Sequence, residues 1–466
     1  MTRVVAAAYA ILGAALCWSR LVGLRHGYCC DEIRTVSDYV DRGPRAILAG
    51  VYIPNNHELF SLLGWLTHEA GARSEMALRL WSVLPFILGV AVVTVWLHRR
   101  IGALEGLVFL FLATASPLLL DISRMARGYG LVFLAMSVLV VSALEAESTP
   151  TAWAVAGFSA GGLLGSLTLP HFAIAYVSVA VVLVARKELR FQVAIATSVS
   201  LLAIAVWYAA HVDDIASSTL GEYGLQIQTV WLATAPVDQT LVPALTLLDD
   251  SFVRPSLESL LLALVLGAVL VSSPLLRRRR QAAILVAPVV TTVVAFWFTG
   301  TYVVPRFFSF LLVPLFVLLA TGSASLLYRL RTRPAPVRTV AVGVMFGVLA
   351  FQFVSLTADV SRMPRDSTEA AALTIRRAVP PSTPVVAHVP YPRDLEHYLE
   401  RPVTRAWTEA EAKRACGLTR QVVYVDQPYL VPAAVLPCLG RADVRHYRLR
   451  QYARGGRIDV WVIPRA

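Results

Sequence analysis

Two adjacent carboxylates, Asp31 and Glu32, follow the first long apolar stretch of the sequence. Carboxylates just past the end of a membrane span face a polar cavity or the lipid headgroups, because contact with hydrocarbon is costly. Either side chain could accept the proton of an attacking hydroxyl and so act as a general base. The plainer interpretation is that the pair only marks the membrane boundary.

Three arginines could bind an anion. Arg124 and Arg127 lie in the string DISRMARGYGL, close to Tyr129, and Arg306 lies in TYVVPRFF. The planar guanidinium group suits phosphate, because it donates two parallel charge-assisted hydrogen bonds. The alternative is that these arginines pair with carboxylates such as Asp121 and hold helices together.

A polar turn contains Asn56 and His57 and precedes an apolar stretch that starts at Leu59. His57 could bind a ligand, transfer a proton or contact a phosphate. The alternatives are an ordinary surface or capping histidine, and an asparagine that caps the helix behind it.

A divalent metal site is the weaker alternative for these polar residues. Asp31, Glu32 and His57 could each contribute a ligand, but the sequence contains no dense His/Asp cluster with metal-ligand spacing. We therefore expect no metal and no other cofactor.

The composition is that of a membrane protein. Of the 466 residues, 57% are hydrophobic and 15% are charged, whereas soluble globular proteins carry about 25% charged residues. These values also exclude a disordered chain. The net charge is +12. Long apolar stretches interrupt the basic residues, so the excess predicts a lipid bilayer as the partner and no nucleic acid.

About eleven stretches are apolar enough to predict transmembrane helices, which need about 20 residues each. They are Val4–Leu24, Met76–Leu97, Leu104–Leu120, Tyr129–Leu144, Ala152–Leu169, Phe172–Ala185, Phe191–His211, Leu257–Leu276, Ala282–Phe298, Phe307–Tyr328 and Val337–Leu356.

Basic clusters predict the orientation of these helices, because cytoplasmic loops carry an excess of Lys and Arg. Four clusters fall in alternate short loops, which places the N-terminus inside. They are Arg99–Arg100, Arg186–Arg190, Arg277–Arg280 and Arg329–Arg338. The three arginines near the polar motifs then lie on the outer face, where an arginine is usually kept for a partner anion.

The predicted fold class is a polytopic α-helical membrane protein with a small C-terminal α/β domain. Residues 1–358 form the transmembrane body, with a first outer loop at residues 25–75, and residues 359–466 form an extracytoplasmic domain. Cys416 and Cys438 in that domain form either a disulfide or two buried thiols. Its elements are the strands Val385–Ala387, Gln421–Val425 and Arg457–Ile463 and the helices Arg393–Leu399 and Thr408–Ala415.

The order of the motifs resembles that of the GT-C membrane glycosyltransferases, and most of all their protein O-mannosyltransferase and lipid A aminoarabinose transferase branch. The motifs are the acidic pair, Asn-x-His, Arg-Leu-x-Ser at Arg79–Ser82, and Ser-x-x-x-Arg-x-Tyr-x-Leu at Ser123–Leu131. They cover about Leu12 to Leu144. The chain departs from the family at Glu58-Leu59, where members commonly have Pro-Pro.

The resemblance implies a polyprenyl-phosphate-linked sugar as the donor, and transfer outside the cytoplasm to a glycan, lipid or protein acceptor. Asp31 falls on the family's catalytic acidic position, with Glu32 beside it. Arg127 with Tyr129, and also Arg306, fall near the position where the family holds the lipid phosphate.

The resemblance also places His57, with Asn56 beside it, near the acceptor or a bound metal. One carboxylate acting as the base predicts direct displacement with inversion at the anomeric carbon. A retaining route would need a second carboxylate as the nucleophile, for which Asp213 and Asp214 remain candidates.

The rival hypothesis is a membrane transporter or lipid flippase, and a third is an assembly protein without catalysis. Transporters often have two related halves and polar sites in mid-membrane. This sequence has no evident internal symmetry, and its unusual charges gather at one membrane face. The Ala- and Arg-rich, Lys-poor composition suggests a GC-rich bacterial genome, and therefore a bacterial plasma membrane with the site on its outer side.

Overall fold

A computed structural model describes most of the 466-residue chain. The described residues are 3–22, 24, 28, 31–49, 56–211, 269–299, 305–330, 367–388, 392–405, 422–426, 445–450 and 457–463. They divide by contacts into two compact units. The membrane unit comprises Met1–Leu24 and Asp38–Asp359, and the C-terminal unit comprises Arg25–Ser37 and Val360–Ala466.

Apolar helices of different lengths build the membrane unit. They are α1 (Arg3–Leu21), α5 (Glu75–Arg100), α6 (Ala103–Ala115), α7 (Pro117–Ser123), α8 (Tyr129–Ser148), α9 (Ala152–Thr168), α10 (Phe172–Val184), α11 (Arg190–Tyr208), α12 (Arg279–Thr299) and α13 (Leu312–Leu330). Six helices in the described part of the chain are long and apolar enough to cross a membrane, so the predicted multi-pass helical architecture is confirmed. Most of the predicted span Leu257–Leu276, and all of Val337–Leu356, lie outside the described residues.

Short helices form much of the first loop. α2 (Asp31–Arg34) continues as a π-helix over Thr35–Val40, and α3 (Pro44–Ala49) and α4 (Glu58–Glu69) follow. The loop also contains Cys29-Cys30, which lies outside the described residues. α3 and α4 belong to the membrane unit, so the first loop contributes to both units.

Glycine lets α8 pack closely against α5 in the centre of the membrane unit. A Cβ atom at Gly130 would overlap the backbone carbonyl of Ser82. The Gly130 N–H donates a hydrogen bond to Ser82 Oγ at 3.2 Å. The serine of the Arg-Leu-x-Ser motif therefore holds the N-terminal end of α8 against α5.

Basic residues gather at the C-terminal end of α8. Arg100 Nη2 lies 2.6 Å from Glu145 Oε2, and Arg186 and Arg280 lie 3.8 Å and 3.6 Å from the Glu147 carboxylate. Three of the predicted basic clusters thus meet at one end of the helical body. The other end of this helix is about 30 Å away, since each residue rises about 1.5 Å, and that is about the thickness of the hydrocarbon core.

The C-terminal unit contains a five-stranded sheet with the order β2-β1-β3-β5-β4. β1 runs parallel to β2 and β3, whereas β5 runs antiparallel to β3 and β4. The elements in chain order are α14 (Ser367–Ala378), β1 (Val385–His388), α15 (Pro392–Leu399), β2 (Thr404–Arg405), β3 (Val422–Asp426), β4 (Arg445–Arg450) and β5 (Arg457–Ile463). The α/β class expected for this region is confirmed.

Three elements of this unit were not predicted, namely α14, β2 and β4. Arginine occupies three of the six positions of Arg445–Arg450, which leaves only Tyr447 and Leu449 as apolar residues, too few to indicate a strand. The predicted helix Thr408–Ala415, together with Cys416 and Cys438, lies outside the described residues.

Candidate functional site

The candidate site lies at the N-terminal end of α8, where the turn between α7 and α8 meets the residue before α4. His57 and Arg127 are both fully buried there. His57 Nδ1 accepts a hydrogen bond from the Gly128 backbone N–H at 2.8 Å. His57 Nε2 lies 3.1 Å from Arg127 Nη2. The turn thus holds the imidazole at one nitrogen and faces the other nitrogen with a guanidinium group.

The Gly128 contact determines where the imidazole carries its proton. A backbone N–H only donates, so Nδ1 must offer its lone pair and a neutral ring carries its proton on Nε2. Burial, and then the charges of Arg127, His171 and Arg306, hold the pKa of His57 well below its usual value. Near pH 7 the ring is therefore neutral and its Nε2–H is a donor.

Two donors consequently face each other across 3.1 Å, since the Arg127 guanidinium has only N–H groups to offer. One oxygen that accepts from both His57 and Arg127 would satisfy this arrangement. A phosphate oxygen is such an acceptor, and charge-assisted bonds of this kind are among the stronger ones in proteins.

Tyr129 packs against both members of this pair. Its ring meets the His57 ring edge-on, with centroids 4.8 Å apart and an interplanar angle of 88°. The Arg127 guanidinium carbon lies 5.7 Å from the centroid of the same ring, within the range of a cation–π contact. Tyr129 is buried, so it restricts the orientation of both polar side chains.

Gly128 is required by the close approach of the backbone to His57. A Cβ atom at Gly128 would lie 2.8 Å from His57 Nδ1 and would also meet the γ-methyl group of Thr168. Any larger residue would therefore displace the imidazole or the end of α9.

Arg306 and His171 bring a second segment to this end of the unit. Arg306 lies in the 3₁₀ turn Pro305–Leu311 and is partly exposed, and its charge is felt at His57. His171 Nε2 lies 3.2 Å from the Phe307 carbonyl oxygen and must be the donor, because a carbonyl only accepts. Burial lowers the pKa of His171 to about 4, so this histidine is also neutral near pH 7.

Asn56 is buried and its amide is used within the first loop. Its Nδ2 donates to the Ile47 carbonyl at 3.2 Å, and its Oδ1 accepts from Ser61 Oγ at 2.9 Å. His57 stands at the N-cap position of α4, but its side chain makes no capping hydrogen bond. That Asn56 and His57 contact the acceptor substrate stays a prediction.

The other predicted residues are placed as follows. Arg124 is buried, and its Nε donates to the Leu120 carbonyl of α7 at 3.2 Å. Asp31 and Glu32 begin α2 in the C-terminal unit. Asp31 is partly exposed, whereas Glu32 is only 3% exposed, so Asp31 is the more accessible of the two carboxylates. Asp213 and Asp214 lie outside the described residues.

Three polar residues near this end of the unit were not singled out from the sequence. They are Glu58, His171 and His211. Glu58 Oε1 lies 3.2 Å from His211 Nε2, and both side chains are buried. Burial raises the pKa of Glu58 to about 8. The sequence offered one indication of these residues: each lies at the end of a predicted transmembrane helix or in a loop, on the same side of the membrane as the predicted site.

Metal-ligand clusters are absent from the part of the chain that the structure describes. No group of three His, Cys, Asp or Glu side chains there could hold a metal ion.

No protein-family model and no curated protein sequence matches the chain. Solved structures do match. ArnT from Cupriavidus metallidurans bound to undecaprenyl phosphate is 15% identical, with a TM-score of 0.57, over 98% of this chain and 97% of that chain. The chain has the GT-C fold. At this identity the likeness establishes the fold alone. It confirms that the chain has the fold that the sequence motifs predicted.

Two archaeal structures extend the comparison. The oligosaccharyltransferase AglB from Archaeoglobus fulgidus, in complex with an inhibitory peptide and a dolichol-phosphate, is 14% identical with a TM-score of 0.53. It covers 91% of this chain and 69% of that one. The oligosaccharyltransferase of the same organism in complex with Zn and sulfate is 13% identical with a TM-score of 0.51, over 90% and 67%.

Proposed function

We propose that this GT-C chain transfers a sugar from a polyprenyl-phosphate-linked donor to an extracytoplasmic acceptor. The observation that supports this most is the convergence of two donors, His57 Nε2–H and the Arg127 guanidinium, at the N-terminal end of α8. Related folds support the same class of donor, since ArnT is bound to undecaprenyl phosphate and AglB to a dolichol-phosphate.

In this proposal His57 and Arg127 hold the phosphate of the donor, and Arg306 adds a further positive charge. The bond between the anomeric carbon and the phosphate oxygen breaks during transfer, and negative charge grows on that oxygen. Donors fixed in advance stabilise this charge without reorganisation in the transition state. Tyr129 keeps the two principal donors in place. Arg124, three residues before Arg127, is the remaining arginine proposed to contact the phosphate.

Asp31 is the proposed general base, with Glu32 as its buried neighbour. The acceptor hydroxyl attacks the anomeric carbon, its proton passes to the Asp31 carboxylate, and the polyprenyl phosphate leaves. One displacement of this kind inverts the anomeric centre. The partial exposure of Asp31 supports this choice, since a base must reach the hydroxyl.

The proposed location is a bacterial plasma membrane, with the basic end of α8 in the cytoplasm. This orientation follows the positive-inside rule and places the buried His57 and Arg127 on the extracytoplasmic side of the membrane. The sugar is a hexose or a pentose, and the acceptor is a glycan, a lipid or a protein. Asn56 holds the turn that carries His57 through its hydrogen bonds to Ile47 and Ser61.

A membrane assay with a panel of polyprenyl-phosphate hexoses and pentoses tests the proposal. Asp31→Asn should abolish transfer of the accepted sugar, and NMR of the product should reveal an inverted anomeric centre. Asp41→Asn is the matched control, because Asp41 is an exposed carboxylate that contacts His68 in the same loop. Full activity of Asp31→Asn would contradict the mechanism. Movement of an intact lipid across sealed vesicles, without bond formation, would support the transporter instead.

A further inference from the structure

We propose that the C-terminal unit positions the catalytic carboxylate, with Tyr398 and His397 of α15 anchoring the segment that carries Asp31. This inference rests on the proposed function, in which Asp31 is the base. Its starting observation is that Arg25–Ser37 groups with Val360–Ala466.

The anchor is a hydrogen bond supported by two ring contacts. The Tyr398 hydroxyl donates to the backbone carbonyl of Tyr28. The His397 ring lies 6.3 Å from the Tyr28 ring and 5.1 Å from the Tyr398 ring, centroid to centroid. Tyr28 is only 4% exposed. Both its ring and its carbonyl are therefore held from outside the segment.

The acidic segment needs such a support because its own structure is short. α2 has four residues, and an isolated helix of that length is unstable in water. Thr35 Oγ1 donates to the Asp31 carbonyl at 3.0 Å and closes the segment on its C-terminal side. Tyr28 supplies the contact on its N-terminal side, three residues before Asp31.

α15 is itself held firmly, so it can serve as an anchor. Leu395 and Leu399 are buried in the core of this unit, together with Ile375 of α14. Glu396 Oε1 accepts a hydrogen bond from the Val403 backbone N–H at 2.9 Å, which fixes the chain after the helix. The position of Tyr398, and through it that of Asp31, thus depends on the sheet domain.

Tyr398→Phe tests the inference, since it removes the donated hydrogen bond and keeps the ring. With the full-length protein in membranes, kcat should fall about fivefold, as expected for one hydrogen bond. KM for the polyprenyl-phosphate sugar should stay unchanged, because His57 and Arg127 hold the phosphate. Tyr447→Phe is the matched control, a tyrosine on β4 that packs against the same core.

Hydrogen–deuterium exchange supplies a measurement that is independent of activity. Peptides that cover residues 28–37 should exchange faster in Tyr398→Phe than in Tyr447→Phe, while peptides of α5 should not change. Equal exchange in the two variants, or equal kcat, would overturn the inference even if Asp31→Asn is inactive. If the wild type transfers none of the sugars, the proposed function has failed. In that case hydrogen–deuterium exchange alone tests the anchor. Unchanged exchange of residues 28–37 in Tyr398→Phe would overturn it, and faster exchange would support it.

Discussion

His57 and Arg127 are 70 residues apart in the sequence, yet Nε2 of the imidazole lies 3.1 Å from Nη2 of the guanidinium. The imidazole proton is on Nε2, because Nδ1 accepts from the Gly128 backbone. Both groups are buried at the end of a membrane helix, and in the proposed function they hold an oxygen of the donor phosphate.

Replacing Arg127 removes the charge from this site. Arg127→Gln should lower kcat for the polyprenyl-phosphate sugar by about 100- to 1,000-fold, since fixed donors of this kind stabilise the leaving oxygen. Initial rates of transfer in membranes measure the effect. Arg186→Gln is the control, because Arg186 pairs with acidic residues at the opposite end of α8. An equal loss in both variants would point to misfolding in place of a lost phosphate contact.

Two replacements of His57 separate binding of the donor from support of the turn. His57→Asn keeps an acceptor near Gly128 but has no group at the position of Nε2, whereas His57→Gln can place an amide N–H there. We expect kcat of the Asn variant to fall about 10- to 100-fold, as for a hydrogen bond to a charged group. The Gln variant should retain more activity. The reverse order would mean that His57 serves only to hold the turn.

Gly128→Ala should disturb the site through volume alone. The added methyl group would press on the Thr168 side chain and on His57, and a displacement of about 1 Å can cost about 100-fold in rate. Combining it with Thr168→Ser, which removes one of the two obstacles, should restore part of the activity. Gly13→Ala is the control, since a Cβ atom at Gly13 would meet nothing within 4 Å. Normal sugar transfer by Gly128→Ala would contradict a close fit between Gly128, His57 and Thr168.

The helical body could be predicted because the bilayer imposes a simple rule on it. A span needs about 20 apolar residues, and stretches such as Tyr129–Leu144 and Phe307–Tyr328 correspond to α8 and α13 in the structure. The strand Arg457–Ile463 was also predicted at its observed bounds, because it follows a Gly-Gly turn. Local pattern was sufficient in all three places.

The site could be predicted only as a set of residue types on one membrane face. From the sequence, Arg127 is predicted as a phosphate ligand and His57 as a contact of the acceptor, and nothing in the sequence indicates that the two side chains meet. Their pairing depends on how α4 packs beside the α7–α8 turn, which no local pattern encodes. The contact between Glu58 and His211 was missed for the same reason, since the two residues come from the first loop and from the end of α11.

Glu58, a buried carboxyl group in the first loop, gives the membrane unit a dependence of stability on pH. Burial raises its pKa from the ordinary value of 4.5 to about 8. Between these two values the folded protein holds a proton that the unfolded chain has released. The free energy of unfolding therefore falls as the pH rises from about 4.5 to about 8.

Glu58→Gln keeps the size of the side chain but cannot ionise, so the variant should lose this contribution to the pH dependence. Its melting temperature in detergent should equal that of the wild type at about pH 5 and exceed it at about pH 9, where the wild type must bury a charge. Glu69→Gln, an exposed carboxylate at the end of the same helix, is the control and should follow the wild type. Parallel melting curves for Glu58→Gln and the wild type between pH 5 and pH 9 would contradict a raised pKa at Glu58.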